Sequence, residues 1–408
     1  QDQEVLDMKK KKKRMNDILS QDVQISDVVE QRMKDTYEIL RRRQEITGKE
    51  RSCTKRLRVA AAVAAIVCLG VPSAVYASMK AGLFDGMFGN ATKKSWDVIH
   101  TEMDNSKGGK TAIDLPSREF VPVDEEKAEE QIGQWVMDEP IVKQIGEHVL
   151  TIESFVYDSS GAVMYYTLGR KGGVTALKAD ESTNAAKGAM FTDDVDFCFS
   201  VQCKMTGDED TIFAADNTYV DLEKSTDELF YCTSYMLWSD DMKEGDIPQL
   251  VITKYPDTLS ELYKLQPDLT GMTKEEAADE TLWKEYQEAM DKVQTEAIDI
   301  SDKGQIPVRE IDLGEQGHLV YSPIAVRVDM SKGFGLSDVE AQDPGNMKYM
   351  EIKFKDGSSY VVSDSENMIE NNGYILGAGE WYKTVFNRLI DTDEIAEIIV
   401  NDVVFPVE

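Results

Sequence analysis

Apolar positions along this chain recur in three patterns, and each predicts a different kind of segment. Between Gln24 and Glu45 the residues Val29, Met33, Tyr37 and Leu40 return every three or four positions, which predicts one amphipathic helix with Ser26 or Asp27 as its cap. Residues 59–79 then run for 21 positions without a charged side chain. From residue 141 onward, alternating or short apolar runs are separated by turn signals, the pattern of strands.

Within the long C-terminal part, residues 80–140 read as a helical stalk. LFDGMFGN and SWDVIHTEM predict short helices, and EEKAEEQIGQWVMDE a further one with Ile132, Trp135 and Val136 on its apolar side. EHVLTIESFVYD and AVMYYTLGR flank SSG as a hairpin, and DVDFCFSVQCKM, TIFAADNTYVDLE, ELFYCTSYMLW and QLVITKYP continue at the short spacing of a β-sandwich. These strands place a first β module at 141–256.

Residues 257–297 form a helical insert. Thr273 to Glu276 is a capping box, and Leu282, Trp283, Tyr286, Met290 and Val293 make a face expected to dock on the sheets. A second β module follows at 298–408, including a hairpin in KYMEIKFKDGSSYVVSD that turns at Asp356-Gly357.

The uncharged run changes what these pieces mean. Twenty-one helical residues span about 31 Å, the thickness of a bilayer's hydrocarbon core. The run is longer than the apolar core of a leader peptide and starts 58 residues into the chain, which favours a retained single-pass helix. Arg41, Arg42, Arg43, Lys49, Arg51, Lys55, Arg56 and Arg58 precede it, whereas only Lys80, Lys93 and Lys94 follow within the same distance. By the bias of basic residues toward the cytoplasm, the head 1–58 is cytoplasmic and the body is extracellular.

Charge divides the chain at the same place. The head holds 16 Lys+Arg against 11 Asp+Glu, and the rest holds 29 against 65. An acidic body repels phosphate, so no nucleic acid is expected as a partner.

The head is too short to bury the helical stripe itself, so Val29, Met33, Tyr37 and Leu40 call for a partner, with the lipid bilayer or another protein as the options. Asp35, Glu38 and Glu45 weaken the lipid option and favour protein.

Candidate chemistry is sparse. His100, His148 and His318 have no neighbours at metal-ligand spacing, and no nucleophile elbow, Walker loop or dinucleotide fingerprint is present. No enzyme activity, cofactor or metal is expected. The acidic runs at Asp193 to Asp196 and Asp208 to Asp210 fit no EF-hand and read as solvated loops. Cys198, Cys203 and Cys232 allow one disulfide at most, with Cys232 pairing either of the other two.

The order of a basic head with SDVVEQRMKDTYEILRRR, a KRLR flank, an alanine and valine span and GLFDGMFG resembles the membrane-bound anti-sigma-factor-like proteins of Gram-positive bacteria. SFVYDSSGAVMYYTL, YMEIKFKDGSSYVV and FNRLIDTDEIAEIIVNDVVFPV are similar to the exported domain of unknown function and immunoglobulin-like module of that family.

The resemblance implies two β-sandwich-like, immunoglobulin-like modules on a helical stalk and a single transmembrane helix. It further implies a head that sequesters an extracytoplasmic-function sigma factor through Val29, Met33, Tyr37 and Leu40, with Arg41, Arg42 and Arg43 steering it. The exported body would sense or transmit an envelope signal, through an external ligand the sequence does not name. The alternative is a membrane-anchored surface-binding protein without regulatory role.

Overall fold

A hairpin of two long strands organises the molecule. β4 (His148–Tyr157) and β5 (Gly161–Arg170) meet at the Asp158–Ser160 turn, where the Asp158 side chain accepts hydrogen bonds from Ser160 N and Gly161 N, both at 2.7 Å. Both strands are buried almost without interruption, as expected when a sheet is covered on each face.

The computed structural model describes residues 83–88, 95–104, 110–174, 177–179, 189–191, 195–205, 211–221, 223–267, 281–301 and 303–407. All belong to one compact unit, Val71–Glu408; the unit Gln1–Gly70 lies outside them. The protein is mainly β, with several antiparallel sheets. Among the described residues no helix is long and apolar enough to cross a membrane; the run 59–79 falls outside them.

Six further strands extend the central hairpin: β3 (Ile141–Ile145), β8 (Phe197–Lys204), β9 (Thr211–Val220), β10 (Leu229–Trp238), β11 (Ile247–Lys254) and β12 (Gln294–Asp299). Together they make one eight-stranded sheet in the order β12-β11-β8-β9-β10-β5-β4-β3. The sequence pattern predicts two facing sheets here, whereas the ladder is continuous.

Ring contacts show that the sheet is strongly curled. β4 and β8 stand four steps apart, about 19 Å in a flat sheet at ~4.8 Å per strand. Yet the His148 and Phe197 rings lie 5.0 Å apart, and Tyr166 of β5 meets Phe199 of β8 edge-on at 5.5 Å. Lys143 of β3 reaches Glu296 of β12 at 2.7 Å, joining the two outermost strands. β9 makes the bend: Thr211 to Phe213 pair with β8, and Ala214 to Val220 pair with β10. The enclosed core contains Leu150, Ile152, Phe155, Met164, Tyr166, Phe197, Leu250 and Trp238.

Residues 309–406 form two five-stranded sheets around a core of their own. One runs β13 (Arg309–Asp312), β14 (His318–Tyr321), β15 (Ala325–Asp329), β20 (Trp381–Phe386), β19 (Asn372–Ala378). The other runs β18 (Ile369–Glu370), β17 (Ser359–Asp364), β16 (Tyr349–Phe354), β21 (Ile395–Val400), β22 (Val403–Pro406). Val326, Val328 and Phe386 of the first pack against Ile352, Val362, Ile398 and Phe405 of the second. The Asp356-Gly357 turn joins β16 to β17, and Gly357 has φ 88°, a conformation that favours glycine.

The described residues between 83 and 136 do not stand apart as a stalk. Helix α1 (Leu83–Met87) buries Leu83, Phe84 and Met87, and helix α2 (Glu125–Ile132) buries Ala128 and Ile132. They share a second core with the outer face of the curled sheet (Val156, Val163, Tyr165, Tyr235, Leu237) and with Ile324, Ala325 and Val385 of the C-terminal sheets.

SWDVIHTEM, predicted helical, instead supplies β1 (Ile99–Asp104), paired with β2 (Lys110–Leu115). Its β-branched Val98, Ile99 and Thr101 suit a strand once a partner is present. A second small pair joins β6 (Leu177–Ala179) to β7 (Ala189–Phe191). In the insert, α3 (Leu259–Lys264) docks through Leu259 and Leu262, whereas α4 (Lys284–Met290) buries no residue and Leu282 is 36% exposed. The predicted face is covered only in part, since Trp283, Tyr286, Met290 and Val293 are half-buried and Leu282 is exposed; the capping box at Thr273 lies outside the described residues.

Cys198, Cys203 and Cys232 are free thiols. Cys203 pairs with Ile212 and Cys232 with Val220, eight residues apart along β9, or about 27 Å at ~3.4 Å per residue. Cys203 and Cys232 therefore cannot meet.

Gly161 sits where three pieces converge: a Cβ there would lie 2.5 Å from the Met236 carbonyl oxygen and 2.6 Å from Val385. Gly161→Ala is expected to destabilise the protein by about 1–3 kcal/mol, read as a lower midpoint in chemical denaturation.

Candidate functional site

Three structural features at the junctions of this fold bring chemistry together: a buried polar seam, an arginine clamp and an open cleft. Each begins with a charged residue that interrupts an apolar strand or follows a turn.

At the seam, the outer end of the β4–β5 hairpin meets β15 and β20. Asp158 is fully buried and accepts a hydrogen bond from Ser322 Oγ at 2.5 Å, while its backbone carbonyl accepts from Trp238 Nε1 at 3.1 Å. Burial pushes its carboxyl above the ordinary range, against the pull of Ser322, Gly161, Ser160 and Arg327.

Lys383 of β20 is 2% exposed; its Nζ lies 2.9 Å from Asp241 and donates to the Trp238 carbonyl at 3.1 Å. Burial, and then the neighbouring Arg327, push this amine down to about 8. Arg327 also pairs with Asp241 and stacks on Trp381 at 4.8 Å. One half-exposed carboxylate thus pairs directly with two largely buried cations, and Asp158 and Asp240 act on both from nearby.

The clamp closes the segment leading from β2 toward α2. Arg118, 9% exposed, donates to the Asn372 carbonyl at 2.8 Å and to Glu370 at 3.1 Å, and its guanidinium lies 5.6 Å from Trp96 and 5.3 Å from Tyr219. Ser117 N donates to the Met368 carbonyl, and Glu370 N returns to the Ser117 carbonyl at 3.0 Å. Beside it, Asn387 Nδ2 and Arg388 both donate to the Glu119 carbonyl, at 2.8 and 3.2 Å.

Next to the clamp lies an open cleft of about 430 Å³ between α2 and the loops after β16 and β20. Phe88 and Ala128 form its fully buried floor; Asp124, Lys127, Asp356, Arg388, Asp391 and Glu394 contribute its charges. Asp124 caps α2 by accepting from Glu126 N and Lys127 N, and Asp356 accepts from Ser358 N at 2.8 Å. Carboxylates outnumber cations over an apolar floor, a composition that suits a cationic, partly apolar ligand.

The residues read from the sequence as partner-binding, Val29, Met33, Tyr37, Leu40, Arg41, Arg42 and Arg43, lie outside the described residues, so none is brought to these features. His148 packs on Phe197, His100 lies 2.6 Å from Asp114, and His318 lies 2.6 Å from Glu310. Among the described residues no group of His, Cys, Asp or Glu is placed to hold a metal ion.

Sequence reading passes over Asp158, Arg327, Lys383 and Arg118. Their signal was present as single charges inside otherwise apolar strands, as in AVRVD and WYKTVF, or just past a turn.

Neither a family model nor a curated protein matches the chain. Among solved structures, it is similar to a crystal structure of a conserved domain protein from Bacillus anthracis at 9% identity and a TM-score of 0.31, covering 64% of this chain and 74% of that one.

Asp241→Asn is expected to cost about 1–3 kcal/mol, because Arg327 and Lys383 lose their directly paired carboxylate while Asp158 and Asp240 remain nearby. Lys383→Met in the same background is expected to recover part of that loss. Urea unfolding of the two variants checks both outcomes.

Proposed function

We propose that this chain is a single-pass membrane regulator of the anti-sigma-factor type. Its head 1–58 sequesters an extracytoplasmic-function sigma factor, and its body transmits an envelope signal from outside. The observation that carries this reading is the seating of α1: Leu83 lies four positions beyond the uncharged run 59–79 and is already buried in the core that joins the sheets. A body fastened so close to its span has little slack in which a rearrangement could dissipate.

The basic head, the acidic body and the uncharged run between them support the assignment of sides. Two five-stranded antiparallel sheets around one core support the immunoglobulin-like reading of the C-terminal module. The cleft beside α2, with its excess of carboxylates, is where an external ligand would bear on the same core.

In this reading the stripe Val29, Met33, Tyr37 and Leu40 is the sigma-binding face. Full-length chain purified from native membranes is expected to retain a sigma factor, identified by mass spectrometry. Met33→Asp with Tyr37→Asp is expected to abolish that recovery. Recovery of no sigma factor by the parent chain overturns the proposal in favour of an anchored surface-binding protein, and unchanged recovery by the variant removes this face.

A further inference from the structure

Glu153 is a charged residue in the middle of an apolar strand, without a counter-charge among the described residues. It is 8% exposed, and among the described residues neither an ion pair nor a side-chain hydrogen bond reaches its carboxyl. Buried ionisable groups normally have partners, so this one calls for an explanation.

Its backbone position is also irregular. The β4–β5 register slips between Ile152 and Ser154, making Glu153 the extra residue of a β-bulge. Ile152 and Phe155 belong to the core enclosed by the curled sheet, whereas Ser154 donates to Met87 Sδ of α1 at 3.0 Å.

Helix α1 therefore lies against the bulge. Thr233 Oγ1 of β10 donates to the Gly86 carbonyl at 2.6 Å. Gly86 is seated so closely on the Tyr165 ring that an added Cβ would come within 2.6 Å of it. Tyr165 pairs with Ser154, the residue after Glu153.

The groups facing Glu153 supply no compensating charge. Tyr165 of β5 and Tyr231 of β10 are both pushed up by burial, and the Glu153 carboxylate adds to each effect. Asp221, at the end of β9, acts on the same two tyrosines and has Lys224 at 3.8 Å. On α1 the ionisable residue is Asp85, whose N–H donates to Glu125 at 2.9 Å.

We infer that Glu153 and helix α1 form a proton-dependent latch: the neutral carboxyl lets the segment Leu83–Phe88 stay seated on the sheet, and the carboxylate loosens it. Its regulatory meaning rests on the proposed function, since the latch would set how firmly the body holds the chain just past its span.

Burial raises the Glu153 carboxyl from 4.5 to about 7. A raised carboxyl favours the seated form fully below the ordinary value; that advantage fades as pH rises and is gone above the raised one. Between pH 5.5 and 7.5 the opening of 83–88 is therefore expected to increase about tenfold.

The test is hydrogen exchange by mass spectrometry on the full chain in phospholipid nanodiscs at those two pH values, corrected for intrinsic exchange. The parent chain is expected to show the increase in residues 83–88, and Glu153→Gln to stay protected at both. Equal protection of the parent at both pH values overturns the latch, as does the same pH dependence in Glu153→Gln. Should that variant not fold, carbon-13 NMR of the labelled glutamates follows Glu153 in the parent chain. A midpoint near 7 supports the latch, and one near 4.5 overturns it. None of these readouts requires a sigma factor. Failed partner recovery would thus overturn the regulatory reading alone, and a pH-independent segment the latch alone.

Discussion

The structure depends on three strands, β4, β5 and β10, being buried on both faces at once. Inward, they supply Ile152, Phe155, Met164, Tyr166 and Trp238 to the core enclosed by the curled sheet. Outward, they supply Val156, Val163, Tyr165, Tyr235 and Leu237 to the core shared with α1, α2 and the C-terminal sheets. Fully burying one such aliphatic or aromatic side chain contributes about 1.5–3 kcal/mol. The curled sheet and its neighbours therefore stabilise one another through the same backbone, and a change on one face is felt on the other.

That double burial restricts where polar groups can stand. At the rim, Ser322 bonds Asp158, and Arg327 and Lys383 both pair with Asp241 across the junction. A buried ion pair contributes little net stability over apolar packing, but losing one partner is costly. The seam consequently penalises any slippage of β15 and β20 against the hairpin more than it strengthens the aligned state. Arg118 has the same effect on the segment before α2, where one guanidinium holds Glu370, the Asn372 carbonyl and two aromatic rings.

Glu153 differs from these groups because its neighbours are aromatic hydroxyls and carboxylates. The bulge that carries it also turns Ser154 toward Met87, so the irregular backbone and the seating of α1 belong to one local arrangement. A carboxyl held near neutral pH gives that arrangement a sensitivity to protons that the rest of the core lacks.

Local features were legible in the chain itself. The Asp356-Gly357 hairpin, the Ser159-Ser160-Gly161 turn and the helix capped by Asp124 follow from residue chemistry acting over a few positions. The apolar runs of AVMYYTLG and LFYCTSYMLW likewise marked strands, although their burial on both faces became visible only in the fold. The sequence did not show that β9 bends to join two halves into one curled sheet, because pairing partners are set by long-range contacts. Nor did it show that residues 99–104 would be a strand, which needed β2 as partner. Single charges such as Glu153, Arg327 and Lys383 were visible as interruptions, yet a charge in an apolar run has no assigned neighbour until the strands are stacked. The sequence by itself thus determined the elements, the uncharged run and the unequal charge on its two sides. The tertiary structure decided which buried charges are paired among the described residues, because that depends on what each strand faces in space.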